Sequence, residues 1–234
     1  MSGTPQSASG KVMLKILEVG FPALGNHPMA PWFQMPYSPL DVSQLRRLTV
    51  SDPYCPVSHI DDILVLCSNA LEELDFQVDL FANRLPLDDK TPNLGSLRNL
   101  SHLTARTCIR GYPYQQPTIR EKNDLSYIAA VLKSLPFNSL RPQQLRIDIV
   151  MWIVLLPDFD TNLALLPWSD LISVLDDERF SSFFLKVDLK IRRFEYDLRS
   201  VHVNMTSTAL LSILDKNEGL KKLREKGLLS YTGY

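Results

Sequence analysis

The sharpest chemical signal in this sequence is a pair of carboxylates at the end of an apolar run, Ile153-Val-Leu-Leu-Pro-Asp158-Phe-Asp160. Hard divalent cations take oxygen ligands, so a D-x-D pair can hold a metal ion against the diphosphate of a nucleotide sugar, as a metal-dependent transferase would need. The tripeptide is common, and no Gly-rich or basic phosphate-binding segment accompanies Asp158 and Asp160, so a solvated loop is the simpler account. Asp158, Asp160 and Asn162 also open like a calcium loop, but Leu163 stands where glycine is required and Ser169 where the bidentate Glu belongs.

Other chemistries find less support. His27, His59, His102 and His202 lie far apart, and Cys55, Cys67 and Cys108 are scattered, so no zinc spacing is present. No G-x-S-x-G elbow or phosphate-cradling glycine loop occurs among the nine glycines. The reading is therefore non-enzymatic, with no catalytic residue, no metal and no cofactor. Each cysteine reads as a small apolar core residue, and three of them suit a reducing compartment.

Composition sets the frame for what remains. The chain has 234 residues, 45% hydrophobic, with 25 Lys and Arg against 26 Asp and Glu. A net charge of -1 supplies no field to draw in nucleic acid or an anionic membrane. Residues 1–11 are small and polar, without the apolar stretch of a secretory signal, and read as a flexible leader to a single domain over 12–234. The apolar run Val150 to Leu156 is far short of the ~20 residues that span a bilayer. The expected location is intracellular, in cytoplasm or nucleus.

The elements that would position any site are set by a recurring pattern. The stretch Leu94 to Cys108 contains Leu100, Leu103 and Ala105 followed by Cys108, the L-x-x-L-x-A-x-x-C spacing of a leucine-rich repeat. Similar groups begin at Leu14, Leu45 and Leu71, so successive starts up to Leu100 are 31, 26 and 29 residues apart. That is the long end of the ~20–29 residues of such repeats. Weaker copies follow at Leu145, Ile147, Ile149 and at Leu185, Val187, Leu189, Ile191. Each group predicts a short strand with alternate side chains turned inward.

Between strands, helical spacing predicts return segments. One helix has Ser58 as its N-cap, Asp61 and Asp62 in its first turn, and Ile60, Ile63, Leu64, Cys67 and Leu71 inward. A second follows Asn123, with Leu125, Ile128, Ala129, Leu132 and Leu135, and ends at Pro136. A third starts at Ser169. A fourth runs from Thr206 through Leu210, Ile213 and Leu214 to a stop near Gly219. The five prolines between Gly20 and Leu40 predict a loop pinned by Trp32, Phe33 and Tyr37. The fold class is thus α/β, an irregular leucine-rich-repeat-like solenoid of about six units, with parallel strands on one face and helices or loops on the other.

The outward row of those strands is the candidate binding surface. Alternation places Arg47, Thr49, Glu73, Asp75, Gln77, His102, Thr104, Arg106, Arg146, Asp148, Lys186 and Asp188 on one face. A parallel sheet normally buries both faces, so an open one in a repeat protein is a place for a partner. Mixed charge fits a protein partner better than nucleic acid, which demands surplus Lys and Arg. No membrane partner is expected. A structural chain without activity is the remaining alternative.

Three groups of residues carry a family likeness: the L-x-x-L-x-V strands, Trp168-Ser-Asp-Leu-Ile-Ser-Val-Leu175 with Phe180, and the closing Leu220-Lys-Lys-Leu-Arg-Glu-Lys-Gly-Leu-Leu229. On these the chain, over roughly residues 14 to 231, resembles the leucine-rich C-terminal region of the F-box-like proteins of mushroom-forming fungi. In that family an N-terminal F-box docks on a Skp-type adaptor of a cullin ubiquitin ligase, and the repeats capture a substrate. The resemblance therefore implies a substrate-recognition role. Residues 1–50 contain no L-P-x-E-I opening, so adaptor docking transfers to no residue. The polar residues before Val12 offer nothing to cover an apolar face, which predicts an exposed first turn, covered by another chain or by residues upstream.

Overall fold

The computed structural model describes residues 11–19, 33, 35, 38–51, 57–78, 92–110, 124–137, 146–155, 168–181, 183–193 and 215–233. Within them the chain is α/β, with a seven-stranded parallel sheet and four α-helices. The strands are β1 (Val12–Met13), β2 (Ile16–Val19), β3 (Leu40–Asp41), β4 (Arg47–Val50), β5 (Glu73–Val78), β6 (His102–Arg110), β7 (Arg146–Leu155), β8 (Phe184–Arg193) and β9 (Leu229–Gly233). The helices are α1 (Val57–Cys67), α2 (Asp124–Lys133), α3 (Trp168–Leu175) and α4 (Glu218–Glu225). The large sheet runs β2-β4-β5-β6-β7-β8-β9, and β1 pairs with β3 in a short ladder of its own.

Register follows the leucine pattern. Leu17, Leu48, Leu74, Leu103, Ile147 and Leu185 are successive partners across the sheet. Val19, Val50, Phe76, Ala105, Ile149, Val187 and Leu229 form the next row. From Leu48 to Ile147 the first row is essentially inaccessible, and Leu45, Leu71 and Leu100, three residues ahead of their strand leucines, are buried too. Removing one such leucine from water contributes about 1.5–3 kcal/mol. A slip of one residue would turn every row outward, so the burial fixes the register.

The helices cover the inner face, where Ile63, Leu64, Leu125, Ile128, Leu132, Leu171, Val174, Leu220 and Leu223 join the same buried cluster. Polar ties connect the return segments. Asn93 donates its backbone N–H to Asp61 Oδ1 at 2.8 Å, and Leu94 N–H donates to Ser134 Oγ at 3.1 Å. Ser126 Oγ donates to Asp170 Oδ2 at 2.6 Å, linking α2 to α3. Cys67, the described thiol, is buried and donates to the Ile63 carbonyl at 3.1 Å; burial pushes its pKa up to about 12. It is a core residue and not a nucleophile.

Several boundaries differ from the sequence reading. The first helix starts at Val57, so Ser58 is inside it and Asp61 and Asp62 lie beyond the first turn; Leu71 has left the helix and leads into β5. The third helix begins at Trp168, one residue early. The described end of the expected fourth helix, Asp215–Lys216, is helical and breaks at Asn217, close to the expected stop; Gly219 itself is taken into the first turn of α4, whose N-cap Asn217 accepts the Leu220 N–H at 3.1 Å. The reason is packing, because a Cβ on Gly219 would overlap the Trp168 side chain. The strand β9 was not anticipated, nor was the β1–β3 pairing. At the first turn Val12, Met13 and Ile16 are more than half exposed. Residues 1–10, most of 20–37, Cys55, and residues 206–214 of the expected fourth helix lie outside the described residues, as does the Cys108 side chain.

An aromatic cluster closes the β8 end of the core. Phe137 meets Phe180 edge-on at 4.9 Å and stacks near Phe183 at 5.9 Å, with the Arg179 guanidinium 4.4 Å above the Phe137 ring. Arg179 Nε also donates to both oxygens of Asp177 at 2.9 Å, while its backbone N–H donates to Oδ1 at 3.0 Å.

Two measurements test this packing. Gly219→Ala should lower stability by about 1–3 kcal/mol through overpacking, even though alanine is the better helix former by about 1 kcal/mol; a gain in stability in chemical denaturation would refute the close contact. The Arg179 guanidinium, with the backbone N–H second, draws the Asp177 carboxyl down to about 2. A pKa depressed in the folded state stabilises at pH above the unfolded value of about 3.9 and loses that contribution as pH falls toward the folded one. Carboxyl NMR should give a midpoint near that low value, and Arg179→Ala should raise it; an unmoved midpoint would leave only the backbone cap as its cause.

Candidate functional site

The face opposite the helices carries all twelve residues expected on it, in registered rows. The first row is Ile16, Arg47, Glu73, His102, Arg146 and Phe184. The second is Glu18, Thr49, Asp75, Thr104, Asp148 and Lys186. The third is Gln77, Arg106, Val150, Asp188 and Ser230. Residues far apart in sequence thus stand at strand spacing, about 4.8 Å from one row member to the next.

The charges on this face mostly satisfy one another. Arg47 Nε donates to Glu73 Oε2 at 2.6 Å, which lowers the pKa of Glu73 and raises that of Arg47. Arg106 makes a two-pronged pair with Asp75, its Nε donating to Oδ1 at 2.6 Å and its Nη2 to Oδ2, and the pair raises the pKa of Arg106. Asp148 Oδ2 accepts from Arg146 Nε at 2.9 Å and from His102 Nε2 at 2.9 Å. Ser230 Oγ donates to Asp188 Oδ1 at 3.0 Å. Among the described residues Asp148 Oδ1 is buried without a hydrogen-bond partner, and the carboxylate is held there through Oδ2.

Two positions correct the expectation of a uniformly exposed row. Thr104 is only 8% exposed, wedged between Asp75 and Asp148, with its Oγ1 3.4 Å from His102 Nε2. Val150 is buried on this same face between Arg106 and Asp188. Thr104 therefore supports its neighbours more than it meets solvent.

The structure also adds residues that the sequence reading passed over. Phe184 is 69% exposed and occupies the first row beside Arg146. Its parity with Lys186 and Asp188 along β8 is the sequence signal that places it on this face. Beside it an open groove of about 570 Å³ is lined by Arg146, Asp148, Phe184, Lys186, the α4–β9 turn and Ser230.

Asp158 and Asp160 lie outside the described residues, as do His27 and His202. Among the described residues no group of His, Cys, Asp or Glu is placed to hold a metal ion, and no helix is long and apolar enough to cross a membrane. Protein-family models, curated proteins and solved structures yield no match to the chain.

The two-pronged pair gives a quantitative check. In a double-mutant cycle, Arg106→Ala and Asp75→Ala should show a coupling of about 0.5–1 kcal/mol at low salt, smaller at high salt, because the pair is part-exposed. Additive single effects would mean that the two side chains do not hold each other in solution.

Proposed function

We propose that the chain is a leucine-rich-repeat-like solenoid that binds a protein through its strand face, as a substrate-recognition part of an F-box-type ubiquitin ligase receptor. One observation carries this reading: twelve polar side chains from five strands share one sheet face, opposite the one that the described helices pack against. Parallel sheets are ordinarily covered on both sides, so an open face built of registered polar rows is suited to an external surface. Its balanced charge favours a partner with charges of both signs over a polyanion. The ubiquitin-ligase part rests on the family likeness of the repeats and of the closing Leu220–Leu229 segment.

Blocking the face separates binding from fold. Thr49→Arg and Gln77→Arg add bulk at half-buried positions outside the ion pairs, whereas Lys222→Glu alters an exposed position on α4. In affinity capture from the native cell, proteins retained by the wild type should persist with Lys222→Glu and disappear with the two face variants. Recovery of a Skp-type adaptor or cullin among them would support the ligase assignment. Identical recovery by all four chains would end the strand-face reading.

A further inference from the structure

The groove beside β8 differs from the rest of the strand face in three respects. Arg47, Arg106 and Arg146 each meet a carboxylate, whereas Lys186 is exposed and meets none among the described residues. Arg146 engages Asp148 through Nε alone and is itself 59% exposed, so the rest of its guanidinium faces outward. Phe184 stands next to both as an exposed aromatic ring.

The third difference lies in the main chain. Val187 N–H donates to the Leu228 carbonyl at 2.8 Å, so the Val187 backbone faces β9. Peptide directions alternate along a strand, which turns the Leu185 N–H and carbonyl the same way. There the sheet has not yet resumed: β9 first pairs at Leu229 opposite Val187, and Leu228 N–H is already used by the Leu223 carbonyl at 3.0 Å. Among the described residues the Leu185 donor and acceptor thus have no strand beside them, and they open into the groove.

We propose that this groove binds an extended acidic peptide segment of the partner protein, its main chain against Leu185, a carboxylate on Lys186 and Arg146, and an apolar side chain on Phe184. The proposal rests on the strand-face reading and specifies the partner's chemistry. Phe184 and Lys186 are two residues apart on one face, so the peptide's apolar and acidic residues are separated by one position. A basic peptide meets two cations against a single carboxylate that Arg146 and His102 already share. A nucleic acid would carry its phosphates onto the carboxylates of Asp75 and Glu73 beyond the groove.

The test uses ¹⁵N NMR on the full chain with a blocked pentapeptide carrying leucine and glutamate separated by one residue. Glutamine and lysine versions and inorganic phosphate serve as comparators. Shifts should concentrate at Phe184–Lys186 and Gly227–Ser230, and affinity should fall about tenfold with the lysine peptide, with Phe184→Ala and with Lys186→Glu. Lys186→Glu should in turn bind the lysine peptide better than the wild type does. Both substituted side chains are exposed, and an unchanged thermal midpoint confirms that each variant is folded. No shift at millimolar peptide, equal binding of the lysine peptide, or the same response to phosphate would overturn the proposal. If Thr49→Arg abolishes partner capture while the peptide leaves the groove unperturbed, this inference falls and the strand-face reading stands. Peptide binding here, with capture indifferent to Thr49→Arg and Gln77→Arg, would support the groove and sink the broader reading.

Discussion

A parallel strand can join its predecessor only after the chain has returned to the same end of the sheet, and that requirement shapes everything else here. Every crossover whose helix is described contributes apolar side chains to one buried cluster on one face. The inner rows gain accordingly, since each leucine in them contributes about 1.5–3 kcal/mol on burial. Part-exposed ion pairs on the other face contribute about 1 kcal/mol at most. The inner face therefore dictates register, and the outer face inherits its arrangement from it. Substitution can vary the exposed members of the outer rows, such as Arg47, Arg146 and Lys186, without disturbing the ladder that aligns them.

The outer rows are not a neutral coat, because their pairings are specific. Glu73 reaches across to Arg47, Asp75 to Arg106, and Asp148 to both His102 and Arg146. Each bond crosses a strand boundary or joins alternate residues of one strand, which is what equal side-chain direction at strand spacing permits. Such mutual pairing leaves little long-range field over this face. Asp148 shows the cost side: among the described residues one of its oxygens is buried and unbonded, a penalty set against the two donors on the other oxygen.

How far this was legible in the sequence depended on which interaction decided each feature. Period-two alternation is a local signal, and it located Leu74, Leu103, Ile147 and Val187 in the core and the twelve polar residues on the opposite face. Features decided by contact between distant elements were not readable. Gly219 looked like a helix stop because glycine commonly is one, yet its role is to admit Trp168 from a helix some fifty residues earlier. The burial of Thr104 and Val150 on the outer face arises from neighbours on adjoining strands, and no single-strand pattern contains that information. The strand β9 is not legible in the sequence because Leu229–Gly233 is too short to show a period of its own.

The groove at β8 has the same kind of origin, and its cause can be traced to one turn. At the end of α4, Gly227 adopts a φ of 70°, its N–H bonds the Arg224 carbonyl, and Leu228 N–H reaches back to Leu223. This is the glycine-based helix ending in which a left-handed residue reverses the chain within two positions. The reversal delivers Leu229 opposite Val187, whereas β7 and β8 pair from Arg146 and Phe184 onward. The sheet thus loses one strand's width over Phe184–Lys186. A longer turn would let β9 start sooner, pair with Leu185 and close the groove; a side chain at Gly227 would meet open space but carry the strain of its φ. The groove is in this sense a consequence of where a helix ends, and the aromatic and the lysine that flank it stand where the neighbouring strand begins late.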